Sequence, residues 1–306
     1  LAAPLEADDL LSPTSPTLLL DALSPGKKSN DSPSPAPYRP ANLNLLNLVE
    51  TRSGWRSMSL RLVRPLWAGA NEWAQVWVAD VEQRGHLLGR VVLKLLVEAL
   101  FWEPDEMSPW IPAGQSMTAE LKAYAALCPV QGQDVPHCYG AFRFSMPWGE
   151  TAPGIILEDL TNTATPSWGF LRDQRNELTV QSIDSFMCAA HVLLHRLQGL
   201  GVAEFDIEAL DLLLVNPPSL PEPTFVLVDF GQAVDARSFR DQHEANIKKY
   251  DLFWKPWQSH ADYKLQNHIE AACGEVVVNW REYERKQRRG IFADPGWYEA
   301  KGADDD

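Results

Sequence analysis

Four cysteines in 306 residues is a small number. None of Cys128, Cys138, Cys188 and Cys273 stands in a C-x-x-C pair. Their spacing argues against a zinc site and a disulfide framework and fits a reducing compartment, so an intracellular location, cytoplasmic or nuclear, is expected. Positive charge is also scarce: 27 Lys and Arg face 41 Asp and Glu, a formal charge of −14. So acidic a chain is a poor match for phosphate backbones or anionic lipid, and neither nucleic acid nor a membrane is expected among its partners. Long apolar runs are missing as well. The strongest, "RVVLKLLVEALFW", is interrupted by Lys94 and Glu98 and is too short to cross a bilayer. No secretory leader is legible, although a chain that starts at Leu1 leaves a removed segment open.

Four stretches make up the chain on composition. Residues 1–50 carry eight prolines before Ala41, many Ser and Asp, and few aromatics. Such a stretch buries too little surface to offset chain entropy, so a disordered tail is expected whose removal costs little stability. Five Ser-Pro dipeptides, at Ser12, Ser15, Ser24, Ser32 and Ser34, have the form of proline-directed phosphorylation sites, but Pro/Ser-rich composition alone yields such pairs. "ANLNLLNLVE" reads either as a short docking helix or as an apolar linker. Residues 51–160 are mainly strands. "SLRLVRPLWAGANEWAQVWVADV" predicts two around a Gly-Ala-Asn turn and "GHLLGRVVLKLL" a third; after the helical "MTAELKAYAAL", "CYGAFRF" and "GIILEDL" predict two more. Residues 161–298 begin with a helix over 180–200 whose apolar face carries Ile183, Phe186, Met187, Ala190, Leu194 and Leu197. Residues 299–306 form an acidic tail.

The chemistry concentrates at the apolar runs "LLLV" and "FVLV", which flank a Pro-rich turn. They predict a hairpin with Asp211 just before one strand, Asp229 just after the other, and Asp206 in the loop that leads in. Three carboxylates brought together repel, and their pKa values rise unless a cation joins them; magnesium suits all-oxygen ligands and also takes substrate phosphates. On Asp229 alone, a metal ligand and a plain turn residue ahead of Gly231 are equally good readings, because Asp-Phe-Gly is a short motif.

Taken together and in order, "VVLK", the helix with Glu120, Asp206-Ile207, Asp211 and "DFG" resemble the protein-kinase-like superfamily over about residues 55–235. The resemblance is closest to the compact, divergent kinase-like and pseudokinase proteins abundant in fungi. It implies an α+β, two-lobed protein-kinase-like fold: an N-terminal antiparallel sheet with one helix, then a mainly helical, shortened C-terminal lobe. It also implies an ATP- and magnesium-dependent phosphotransferase, with ATP and an unidentified protein or small-molecule hydroxyl as substrates. By this resemblance Lys94 holds the phosphates, Glu120 holds Lys94, Asp229 and Asp211 bind magnesium, and Asp206 deprotonates the attacking hydroxyl. The hinge "ILEDL", with Glu158 and Leu160, meets the adenine through its backbone; Gly69 opens the phosphate loop, and Val76, Val92 and Leu213 flank the base. A lysine inside "VVLKLLV" without a partner is expensive to bury, which favours the paired role.

Departures from the pattern are as informative. The loop that normally reads G-x-G-x-x-G-x-V has Gly69, Asn71, Ala74 and Val76, so two glycines are lost and the backbone approach to phosphate is hindered. Val92 replaces the usual Ala. Glu204, Phe205 and Asp211 stand where His, Arg and Asn are usual, and Glu208 replaces the common Lys. Only 75 residues follow Gly231, with no Ala-Pro-Glu among them. A pseudokinase that acts as a partner-binding scaffold is therefore the alternative. Tyr250, Phe253, Trp254 and Trp257 read as core, "WREYERKQRRG" as a helix end, and His191 with His195 as a pair that lacks an adjoining acid for a metal.

Overall fold

The computed structural model describes residues 10–11, 13–16, 39–42, 45, 57–70, 72–101, 111–174, 176–203, 207, 210–215 and 223–236. These make an α+β protein whose strands are β1 (Leu10–Leu11), β2 (Pro13–Pro16), β3 (Met58–Trp67), β4 (Gln75–Gln83), β5 (His86–Leu95), β6 (Cys138–Ser145), β7 (Thr151–Glu158), β8 (Ala164–Pro166), β9 (Val202–Ala203), β10 (Leu212–Val215), β11 (Phe225–Leu227) and β12 (Val234–Asp235). The helices are α1 (Ala113–Ala126), α2 (Ser167–Asp173) and α3 (Val180–Gly199). The described residues fall into two compact units, one drawn from those within 10–162, 200–203 and 227–236, the other from those within 163–199 and 207–226.

The first unit is built on a sheet of order β1-β3-β4-β5-β7-β6-β2, antiparallel at every step. The strands expected from alternation and turn residues are all present. Between β4 and β5 the chain reverses through Arg84 and Gly85, with φ of 51° and 79°, the pair of positive values that a two-residue hairpin requires. One face is core: Leu60, Leu62, Trp77, Ala79, Val91, Leu93, Leu95, Phe142, Phe144 and Ile156 share a buried cluster. Each Val, Leu, Ile or Phe side chain among them contributes about 1.5–3 kcal/mol on leaving water. The other face carries Val76, Val92 and Lys94. Val76 stands opposite Lys94, and Val92 lies two residues before Lys94 on the same strand.

Residues 10–11, 13–16, 39–42 and 45 depart from the expectation of a disordered tail over 1–50. Leu10 and Leu11 pair with Arg61 and Leu60 on β3, while Pro13, Ser15 and Pro16 pair with Phe144, Arg143 and Phe142 on β6. Only Ser12 separates β1 from β2 in the chain. One short segment therefore covers both edges of the five-strand sheet, whose backbone groups would otherwise go unpaired. Leu11 and Leu45 are buried in the same core cluster. A composition averaged over fifty residues hides these two apolar anchors. The remainder of that stretch lies outside the described residues.

In the second unit β11, β10 and β8 form a three-stranded sheet. β10 pairs antiparallel with β8, and β10 and β11 adjoin as the two apolar runs predict. Helix α3 buries Ile183, Phe186, Met187, Ala190, Leu193 and Leu197, and Phe186 meets the edge of Phe225 at 4.7 Å between ring centroids. Leu193 takes the place expected of Leu194, which is half-buried, because the helical period carries the stripe from Ala190 through Leu193 to Leu197. The side chains of His191 and His195 lie outside the described residues, as do all residues after 236, including the acidic tail. Among the described residues no helix is long and apolar enough to cross a membrane.

Candidate functional site

Lys94 points from the C-terminal end of β5 into a buried polar cluster of the first unit. Its Nζ donates to Asp229 Oδ1 at 2.6 Å and lies 2.8 Å from Glu120 Oε2, within ion-pair range but without hydrogen-bond alignment. Strand β5 supplies the lysine, helix α1 the glutamate, and the turn after β11 the aspartate. Glu120 is fully buried, while the Asp229 side chain keeps 48 % of its surface exposed. Burial works to lower the Lys94 pKa, but the two carboxylates outweigh it and hold the ammonium above its ordinary value. Burial likewise raises Glu120, and the attraction of Lys94 only partly offsets it. Asp229 ends below the usual range: burial opposes ionisation there, and the Lys94 charge together with two hydrogen bonds overcomes it.

Asp229 has φ of 63°, a left-handed backbone that a non-glycine residue adopts at a cost. Its own side chain stabilises the turn, since Oδ1 accepts the Gly231 N–H at 3.0 Å. Both its bonds thus fall on Oδ1, which leaves the lone pairs of Oδ2 for a hard cation, and on this count the residue fits magnesium. Phe230 is fully buried and meets Tyr124 edge-on at 5.3 Å. Tyr124 follows Glu120 by four residues and Ser116 precedes it by four, so one stripe of α1 faces the Asp229–Gly231 turn. A methyl group on Gly231 would come within 2.9 Å of Ser116 Oγ and 3.3 Å of Asp229 Oδ1. The four-residue spacing of Ser116, Glu120 and Tyr124 is the signal that could have marked this stripe; the left-handed aspartate was signalled only by Asp-x-Gly.

The remaining assigned positions sit as follows. Val76 and Val92 are half-buried on the Lys94 face of the sheet, and Leu160 is buried. Glu158 ends β7 and is held by Arg39 at 2.8 Å, a partner 119 residues away that no local signal marks. Gly69 gives its N–H to the side-chain oxygen of Gln75 at 2.9 Å, and its carbonyl accepts from the Gln75 amide at 2.8 Å. The loop's first backbone amide is therefore already engaged. Trp73 stacks edge-on against Phe101 at 5.1 Å, which fixes the loop further. In the second unit Leu213 is half-buried on β10, and Asp211, also half-buried, precedes it in the turn. Asp206, with Asn71, Glu204, Phe205 and Glu208, lies outside the described residues. Among the described residues no three His, Cys, Asp or Glu side chains are grouped to hold a metal ion.

The site thus joins a buried lysine, its buried carboxylate partner and a strained, half-exposed aspartate, an arrangement suited to holding an anionic ligand and a cation side by side. No family model matches the chain, and no curated protein matches its sequence.

Proposed function

We propose that this chain is a divergent protein-kinase-like phosphotransferase that binds ATP with magnesium and transfers the γ-phosphate to a hydroxyl of a protein or small molecule. The observation that carries the reading is Lys94 held between Glu120 and Asp229. A lysine clamped by two carboxylates stays charged and oriented, which phosphoryl transfer requires, since that chemistry depends mainly on alignment and on neutralising phosphate charge. Lys94 draws the phosphates, and Glu120 keeps the ammonium aimed. The backbone from Glu158 to Leu160 meets the adenine, with Val76 and Val92 against the ring. Magnesium, when bound, would supply charge neutralisation on the phosphates; Asp229 would hold it, and by the family resemblance Asp211 would be its second ligand. Asp206 accepts the proton of the attacking hydroxyl as its oxygen bonds to the γ-phosphorus and the bond to the β-phosphate oxygen breaks.

A scaffold without turnover, the pseudokinase alternative, is favoured by one specific observation. The Gly69 amide is tied to Gln75, where a phosphate-binding loop would present it to the ligand. Labelled ATP with magnesium separates the two readings. Transfer or phosphate release by the wild type that Asp206→Asn abolishes, while nucleotide binding persists, supports the enzyme. Binding with equal residual turnover in both proteins assigns the chain to the scaffold class, and a melting temperature unmoved by millimolar Mg-ATP removes the nucleotide reading altogether.

A further inference from the structure

Arg39 makes more directed polar contacts than any residue of the Lys94 cluster. Its Nε donates to Glu158 Oε1 at 2.8 Å and Nη2 reaches Oε2 at 3.4 Å, while Nη1 and Nη2 donate to the carbonyls of Gln133 and Val135 at 3.1 and 3.2 Å. Its backbone is read too: the N–H donates to Gly132 O at 2.7 Å, and the carbonyl lies 2.7 Å from His137 Nε2. Gly132, at φ +76°, leaves the space this requires, because a methyl group there would come within 2.5 Å of the Arg39 carbonyl. Both Arg39 and Glu158 are nearly buried, at 11 % and 13 % exposure, so the pair is little screened. The backbone beyond Arg39 is pinned as well, by Asn42 N–H donating to the Tyr139 hydroxyl at 3.1 Å and by buried Leu45.

Glu158 in turn accepts the His137 N–H at 3.1 Å and donates its own N–H to His137 O at 2.8 Å. One residue on, Asp159 Oδ1 accepts from the N–H and hydroxyl of Thr161 at 2.9 and 2.7 Å. The stretch 158–161 is thus held at one end by Arg39 and at the other by a local turn. Arg39 touches none of Lys94, Glu120 or Asp229.

We propose that Arg39 is a positioning residue for the adenine side of the nucleotide site, so that the N-terminal segment sets the ledge formed by Glu158, Asp159 and Leu160. This rests on the nucleotide reading above. A planar fork that satisfies one carboxylate and two carbonyls together cannot be replaced by an ammonium, which pairs with the carboxylate alone. The ledge therefore loosens when Arg39 is changed, while the phosphate side keeps its geometry.

The test is calorimetric titration of the full chain with adenosine, with magnesium tripolyphosphate and with Mg-ATP. Arg39→Ala is expected to weaken adenosine and Mg-ATP by a common factor of about ten, the loss of a charged hydrogen-bonded anchor, and to leave tripolyphosphate unchanged. Arg39→Lys is expected to fall between and keeps the test decisive if the alanine variant does not fold. In either variant, amide hydrogen exchange at 158–161 rises while that of β5 does not. Unchanged adenosine binding in a folded variant, or equal weakening of adenosine and tripolyphosphate, overturns the proposal and leaves the nucleotide reading standing. A wild type that binds none of the three ligands overturns both.

Discussion

Replacing Lys94 by methionine removes the ammonium and keeps most of the volume, and its cost follows from the unequal exposure of the two carboxylates. Asp229, with 48 % of its side chain exposed, can rehydrate, so its loss of a partner costs little. Glu120, with none of its surface exposed, cannot. A buried charge stripped of its partner costs about 3–5 kcal/mol, which lowers the melting temperature by roughly 10 °C in a domain of this size. The penalty depends on pH. Burial already raises the Glu120 carboxyl, and without Lys94 it rises further. The folded variant then binds a proton at a pH where the unfolded chain does not, so its stability rises as pH falls toward the ordinary glutamate value. Urea unfolding of wild type and Lys94→Met at pH 8, 7, 6 and 5 is expected to show a gap that narrows toward acid. The double variant Lys94→Met/Glu120→Leu removes the buried charge and should recover to within about 2 kcal/mol of wild type. A single variant as stable as wild type, or a gap that does not narrow as pH falls, would refute the picture of a buried carboxylate held charged by Lys94.

Leu11→Ala should cost about 2–4 kcal/mol in chemical denaturation, because Leu11 is fully buried in the sheet core; a change below ~0.5 kcal/mol would return the segment to the status of a tail. Gly132→Ala should destabilise by about 1–3 kcal/mol through its left-handed backbone alone, with more from the clash with Arg39, and wild-type stability in urea would contradict the anchored N-terminal segment. Asp229→Asn tolerates the same left-handed turn but loses the charge, so on the proposed nucleotide reading Mg-ATP should raise the melting temperature of wild type and not of the variant. The Asp229 carboxyl lies below its unfolded value, so its stabilising contribution is present above the ordinary aspartate pKa and is lost as pH falls through the depressed one. Melts of this variant and of wild type without ligand should therefore converge at acid pH, and a constant offset would count against the Lys94 contact.

Local regularities carried much of the architecture. Short apolar runs bounded by turn residues marked strands β3 to β7, and the three- and four-residue spacing of Leu121, Tyr124 and Ala125 marked α1, because both signals arise within a few neighbouring residues. The charged cluster was legible in part for the same reason: a lysine inside an apolar run needs a partner, and an acid on a nearby helix and an Asp before a glycine are its natural sources. Which carboxylates reach Lys94, and at what burial, was decided by tertiary structure, since β5, α1 and the Asp229 turn are brought together across 135 residues. The role of residues 10–11 and 13–16 was likewise invisible, because two leucines among prolines and serines carry no period; they become strands only when β3 and β6 offer unpaired edges. Arg39 is the extreme case. Nothing around it in the sequence asks for a carboxylate and two carbonyls, and its socket exists only after the 132–135 turn and the end of β7 have been packed side by side.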